Sequence, residues 1–169
     1  KEVKERFLTT FVQVAENFNK IFKELFKGGY ADMTLESPND ILNTGIVIEA
    51  SPPGKKLQNL SLLSGGEKSL TAISLLFAIL QVKNPPFVVL DEVEAALDEE
   101  NVNRFAKFLK VYSENNQFLV ITHRRGTMEA MDTLYGVTMQ EKGISYILEL
   151  ELKDVIENFE EVMGVTQKS

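Results

Sequence analysis

At two places in this 169-residue chain a short apolar run gives way to a polar pair. Phe87-Val88-Val89-Leu90 leads into Asp91-Glu92, and Phe118-Leu119-Val120-Ile121 leads into Thr122-His123. Two carboxylates leaving the end of a dry strand suit a hard cation and an attacking water. Asp91 would hold Mg²⁺ through a water and Glu92 would polarise the nucleophile. The plainer reading is that an acid after a strand caps the next helix. His123 is the single histidine of the chain. A lone histidine is usually a satisfied structural one, but a place just after a strand favours chemistry. A third group, Ser64-Gly65-Gly66-Glu67-Lys68, opens a helical pattern. Ser64 is a good N-cap, and the two glycines let backbone N–H groups approach an anion closely. Unpaired amides and the helix dipole favour a phosphate there. Taken alone, this group reads equally well as a capped helix after a flexible loop.

The elements that must position these residues follow from periodicity. Val3, Phe7, Phe11, Val14, Phe18, Ile21, Phe22 and Leu25 recur at helical steps over Lys1 to Phe26, and Gly28-Gly29 ends the run. The C-terminal half of that helix reads as facing a core. Its N-terminal half reads equally as core or as protruding into a coiled coil. From Tyr30 to Ser51 the period becomes two, with strands on either side of a turn at Ser37-Pro38-Asn39-Asp40. A loop containing Pro52-Pro53-Gly54 follows, and then a long helix from about Gly66 to Val82, ended by Asn84-Pro85-Pro86. The two uniformly apolar strands before Asp91 and Thr122, with a helix from about Glu99 to Tyr112 between them, form a βαβ unit. Such strands belong in a parallel sheet covered on both faces, and ligands bind at the carboxyl ends of such strands. A short helix over 125–131 precedes a hairpin of Tyr135–Gln140 and Ile144–Leu150 that turns at Lys142-Gly143. The tail from Lys153 reads as one more short helix. The helical pattern is already under way at Lys1, so the chain reads as a piece of a longer protein.

Composition excludes several classes. Hydrophobic content of 44% and charged content of 25% are those of a globular fold, not an acidic disordered tail. No apolar run approaches the ~20 residues of a membrane span. With no Cys, disulfides and thiolate zinc sites are excluded. Eighteen Lys and Arg against 25 Asp and Glu give a net charge of −7, so the surface as a whole is no nucleic-acid platform.

Taken together, Ser-Gly-Gly opening a helix, then an apolar strand ending in Asp-Glu (the form of a Walker B strand), then a histidine after the next strand, is the ordered pattern of the ATP-binding-cassette ATPases. The particular residues narrow the resemblance. Leu63-Ser64-Gly65-Gly66-Glu67-Lys68-Ser69-Leu70, Leu90-Asp91-Glu92-Val93-Glu94-Ala95-Ala96-Leu97-Asp98 and Ile121-Thr122-His123-Arg124-Arg125-Gly126-Thr127-Met128 closely resemble the C-terminal half of the head of SMC (structural maintenance of chromosomes) proteins of bacterial type. Transporter cassettes usually carry Gln in place of Glu67 and Pro-Thr-Ser/Gly in place of Val93-Glu94-Ala95. A Walker A loop, G-x-x-x-x-G-K-S/T, is missing. The nearest candidate, Gly54-Lys55, has Glu49 for the first Gly and Lys56 for the Ser or Thr. This chain therefore lacks the cradle for the β- and γ-phosphates. The resemblance accounts for the gap, because in SMC proteins the Walker A half lies at the far N-terminus and folds with this half into one head.

The resemblance implies an α/β fold: the C-terminal lobe of an ABC-type ATPase head, with a mainly parallel core sheet flanked by helices, a β-hairpin, and an N-terminal helix rooting a coiled coil. It divides the chain into a neck helix over 1–27, the head lobe over 28–152 and a tail over 153–169. It makes Asp91 the Mg²⁺ residue, Glu92 the general base, His123 a γ-phosphate contact and Asp98 part of the loop that crosses between heads. Ser64, Gly65, Gly66 and Glu67 would bind ATP held by the opposite head. The cofactors implied are ATP and Mg²⁺. The implied partners are the Walker A half, a second SMC head, the winged-helix domain of a kleisin, and DNA through the whole complex, with no membrane. The location implied is the cytoplasm, at the nucleoid. The expected activity is ATP hydrolysis by the completed, dimerised head and none by this chain alone. Two alternatives carry the same motifs: a head fragment of a DNA double-strand-break repair ATPase, and a non-catalytic kleisin-docking module.

Overall fold

The computed structural model describes residues 2–41 and 43–151, so the tail expected over 153–169 lies outside the described residues. Helix α1 spans Glu2–Phe26 and divides as its sequence suggests. Val14, Phe18, Ile21, Phe22, Leu25 and Phe26 are buried, whereas Val3, Leu8 and Val12 are exposed. Fully burying one such aliphatic or aromatic side chain stabilises by roughly 1.5–3 kcal/mol, so the C-terminal half of α1 is anchored by packing. The helix ends where Lys27 takes a left-handed φ of 57° and the Gly28 N–H bonds back to the Lys23 carbonyl at 2.8 Å. Gly29 has φ +80°, and a Cβ there would stand 2.4 Å from the Ser51 carbonyl oxygen. Gly29 is thus needed for the close approach of α1's end to the first sheet.

That sheet is antiparallel. Strands β1 (Tyr30–Leu35) and β2 (Ile46–Ser51) pair from Tyr30↔Ser51 to Leu35↔Ile46, and a two-residue β3 (Gln58–Asn59) pairs with β2. A 3₁₀ turn, Leu60–Leu62, then leads into α2, Gly65–Lys83. Helix α2 packs along α1, burying Leu70, Ile73, Phe77 and Ala78. It stops at Asn84, whose left-handed conformation (φ 42°) turns its N–H onto the Leu80 carbonyl at 2.6 Å before Pro85-Pro86.

The βαβ unit follows as β4 (Phe87–Asp91), α3 (Glu99–Tyr112) and β5 (Gln117–Ile121). Strands β4 and β5 pair in parallel, from Phe87↔Gln117 to Asp91↔Ile121. Their starts are pinned by Asn116, whose side chain donates to the Pro85 carbonyl at 2.7 Å, and by the Gln117 N–H on the Pro86 carbonyl at 3.1 Å. Phe77 of α2 is the hub of the core here, with ring centroids of Phe108 at 5.0 Å, Tyr112 at 5.3 Å and Phe118 at 6.1 Å. A short α4 (Arg125–Met128) leads to the hairpin of β6 (Thr133–Glu141) and β7 (Ile144–Glu151), with Gly143 in its turn at φ 88°.

The expected α/β fold class stands, with one correction to the sheet. Within the described residues the parallel sheet is the β4–β5 pair, and it is covered on one face. Leu90 is buried, and Val88, Phe118 and Val120 pack against the core. Phe87, Val89, Leu119 and Ile121, on the other face, are each about half exposed, from 48% to 52%. Uniform apolarity in a strand says that both faces meet apolar surface. It does not say that the same chain supplies it.

Candidate active site

The two polar pairs emerge side by side because β4 and β5 run in parallel and end in register, Asp91 opposite Ile121. Glu92 leaves the strand with φ 46°, a left-handed conformation that costs a non-glycine residue about 1–3 kcal/mol. Its N–H is held by the Ile121 carbonyl at 2.9 Å, which keeps the turn tied to the end of β5. The side chain of Glu92 thereby reaches His123: Nδ1 lies 3.2 Å from Glu92 Oε1. Both side chains are more than half exposed, at 52% and 62%, so the pair faces outward where a ligand can reach it. Asp91 is exposed beside them at the strand end. Neither Asp91 nor Glu92 caps the following helix. That work falls to Asp98, whose carboxylate accepts from the Asn101 N–H at 2.8 Å and from Asn101 Nδ2 at 3.0 Å.

The signature segment forms a second cluster at the start of α2. Ser64 is the N-cap residue, and Glu67 reaches back to it: Glu67 Oε2 accepts from the Ser64 N–H at 3.1 Å and from Ser64 Oγ at 2.7 Å. Lys55, from the loop that fails as a Walker A motif, pairs with the same carboxylate at 2.8 Å. These bonds, with Lys55 contributing most, hold the Glu67 carboxyl below the ordinary glutamate value. Gly65 is exposed, with nothing near the place of a Cβ, and at Gly66 the nearest atom to such a Cβ is the Ala96 carbonyl oxygen at 3.9 Å. The first turn of α2 is therefore open, and the loop after Glu92 passes close beside it.

Sequence reading missed two members of this arrangement. Lys55 is one. The other is Glu94, which served there only as a mark of the resemblance and is fully buried in the structure. Its place between Val93 and Ala95-Ala96-Leu97 was the available signal, an acid inside an otherwise apolar stretch. Among the described residues no three or more His, Cys, Asp or Glu gather into a metal cage. A single exposed carboxylate such as Asp91 fits Mg²⁺, which keeps most of its waters and takes one or two carboxylates besides substrate phosphates. No helix among the described residues is long and apolar enough to cross a membrane.

Residues 10–146 match the model of the RecF/RecN/SMC N terminal domain family. The chain is 59% identical over 157 residues to the chromosome partition protein Smc of Bacillus subtilis (strain 168), a match that covers 93% of this chain and 13% of that protein. It thus spans about an eighth of the length of the curated relatives it matches. Among solved structures, it is similar to a chain from work on ATP-driven dimerization and DNA-stimulated activation of SMC ATPases. That likeness has 38% identity and a TM-score of 0.86, over 98% of this chain and 99% of the other. It is also similar to the Smc head domain with an extended coiled coil, bound to the C-terminal domain of ScpA, derived from Pyrococcus furiosus. Here identity is 41% and the TM-score 0.80, over 96% of this chain and 40% of the other. With its paired strand ends, its Ser-Gly-Gly helix start and these likenesses over nearly its whole length, the chain belongs to the RecF/RecN/SMC family, on the side of the SMC head domains.

Proposed function

We propose that this chain is the C-terminal half of an SMC ATPase head that, completed by a Walker A-bearing half, hydrolyses ATP between two engaged heads to drive chromosome condensation and segregation. The observation that carries the reading is the meeting of Glu92 and His123, 3.2 Å apart at the carboxyl end of a parallel strand pair. In this reading residues 1–27 form the neck of a coiled coil, 28–152 the head lobe and 153–169 a tail. ATP is the substrate. Mg²⁺, bound with it, supplies charge neutralisation at the phosphates, and Asp91 would hold it through a water.

Glu92 takes the proton of the attacking water on its carboxylate. His123, with Nδ1 turned to Glu92, meets the γ-phosphate through the rest of its ring. Asp98, anchored as the N-cap of α3, keeps the crossing loop in shape at the boundary between heads. Ser64, Gly65, Gly66 and Glu67 meet the nucleotide held by the opposite head. There the Ser64 hydroxyl, which donates to Glu67 in this structure, would donate to phosphate instead. ATP is then the adhesive between heads, and loss of the γ-phosphate releases them. The likeness to a head bound to ScpA supports a kleisin winged-helix domain as a partner, with the exposed hairpin residues Tyr135, Val137 and Ile147 and the free half of α1 as candidate surfaces. DNA is engaged by the whole complex, at the nucleoid.

The test is a double dissociation in the assembled head. Glu92→Gln should lower turnover by about 10²–10⁴-fold and leave ATP-driven head engagement intact. Ser64→Ala should abolish engagement while the partner half still binds ATP. Engagement is read by light scattering, and binding by a fluorescent nucleotide. Both variants failing in the same way would contradict the assigned roles.

A further inference from the structure

Among the described residues Glu94 is a charged side chain with no solvent exposure, set two positions after the proposed base. Burying a carboxylate is costly unless hydrogen bonds compensate it. Its Oε1 accepts from two hydroxyls, those of Thr122 and Thr127, the second at 3.0 Å. Thr122 Oγ1 in turn accepts from the Arg124 N–H at 3.0 Å, and Arg124 Nη2 donates to the Leu97 carbonyl at 2.8 Å. These bonds form a closed ring that joins the turn after β4 to the turn after β5. Glu92 lies two residues from one anchor and His123 lies next to the other. The side that carries Thr127 packs closely on α3, where a Cβ at Gly126 in α4 would stand 2.6 Å from Asn103 Oδ1.

We infer that Glu94 is a positioning residue for ATP hydrolysis: by holding Thr122 and Thr127 it fixes His123 against Glu92. The inference rests on the proposed ATPase reading. Glu94 touches no reacting atom. Its contribution is to keep the pair within the fraction of an ångström that in-line attack requires, and a misplacement of about 1 Å costs on the order of 10²-fold in rate. Its Oε2 has no hydrogen-bond partner among the described residues. An amide in place of the carboxylate therefore keeps the accepting oxygen and loses no bond.

The experiment uses the complete head, this chain assembled with its Walker A half, in six forms: wild type, Glu94→Leu, Glu94→Gln, Thr122→Val, Glu92→Gln and the double variant Glu94→Leu/Glu92→Gln. Glu94→Leu and Thr122→Val should lower kcat by about 10²-fold with KM for ATP and ATP-driven engagement unchanged, and Glu94→Gln should restore most of the rate. Combining Glu94→Leu with Glu92→Gln should slow the head no further than Glu92→Gln alone. Thr122→Val keeps the side-chain shape and stands in if Glu94→Leu does not fold. Wild-type rates in Glu94→Leu or Thr122→Val, beside a silent Glu92→Gln, would overturn the inference and leave the ATPase reading in place. A fall of rate, engagement and melting temperature together in Thr122→Val would likewise reduce the ring to scaffolding. A Glu92→Gln head that turns over at the wild-type rate would overturn both.

Discussion

Glu67 accepts hydrogen bonds from Lys55 and from both the hydroxyl and the backbone of Ser64, and these hold its carboxyl below the ordinary glutamate value of 4.5. A carboxylate depressed in the folded state contributes stability that is present above its unfolded pKa and lost as pH falls through the folded value. The window therefore lies below pH 4.5. Lys55→Met should raise the Glu67 pKa and move the acid loss of the α2 cap to higher pH. Following Glu67 by NMR titration alongside melts through the acid range reads both effects, and an unchanged acid limb would contradict the pairing. At this scale the sequence shows whatever is local. Ser64 and Glu67 are three residues apart, and the Asp-Glu and Thr-His pairs end recognisable strands. Lys55, twelve residues from Glu67, and Glu94, twenty-eight from Thr122, find their partners only through the fold. No spacing rule would have joined them.

Tyr112 closes α3 with its ring against Phe77 at 5.3 Å and Phe108 at 5.2 Å, and its buried hydroxyl has no hydrogen-bond partner among the described residues. Burial, and then the charge of Glu24, push its pKa up to about 12 from 10.0. The group is raised, so its stabilising effect is full below pH 10.0 and is lost as pH climbs toward 12. Tyr112→Phe should flatten that alkaline limb. Because it removes an unsatisfied hydroxyl, it should be neutral or stabilising near neutral pH by up to roughly 1–3 kcal/mol. Melting curves across the alkaline range measure both, and a loss of stability near neutral pH would mean that the hydroxyl has a partner. The elements themselves were legible wherever a period runs long enough. The stripe of α1, the alternation in β1 and the Asn84-Pro85-Pro86 stop all appear as read. Strand β3, two residues long, has no period to detect, and it exists because β2 offers an edge beside it. The Gly28-Gly29 stop of α1 also appears as read, with Lys27 sharing the positive φ of the two glycines and Gly29 serving in addition the approach to Ser51.

Among the described residues the molecule keeps one core, shared by α1, α2, α3 and the inner face of β4–β5, and the outer face of that strand pair is half exposed. In the proposed reading, the apolar strip of Phe87, Val89, Leu119 and Ile121 beside the site is where a completing half would sit, since exposed contiguous apolar surface marks interaction sites. Leu119→Lys should leave the stability of this chain within about 0.5 kcal/mol, as is usual for exposed positions. It should also prevent co-purification with the Walker A half, and a complex that forms as well as wild type would contradict that use of the face. Composition could not reveal the half-exposed face, because a strand reads the same whether its cover lies in the same chain or in another. The central claim is that catalysis requires both halves and runs through Glu92. The most direct measurement is ATP turnover by this chain alone, by the Walker A half alone, and by the two assembled, with Glu92→Gln as the control. Activity confined to the assembly and abolished by the substitution is the predicted result. Turnover by this chain alone, or an assembled head indifferent to Glu92→Gln, would contradict it.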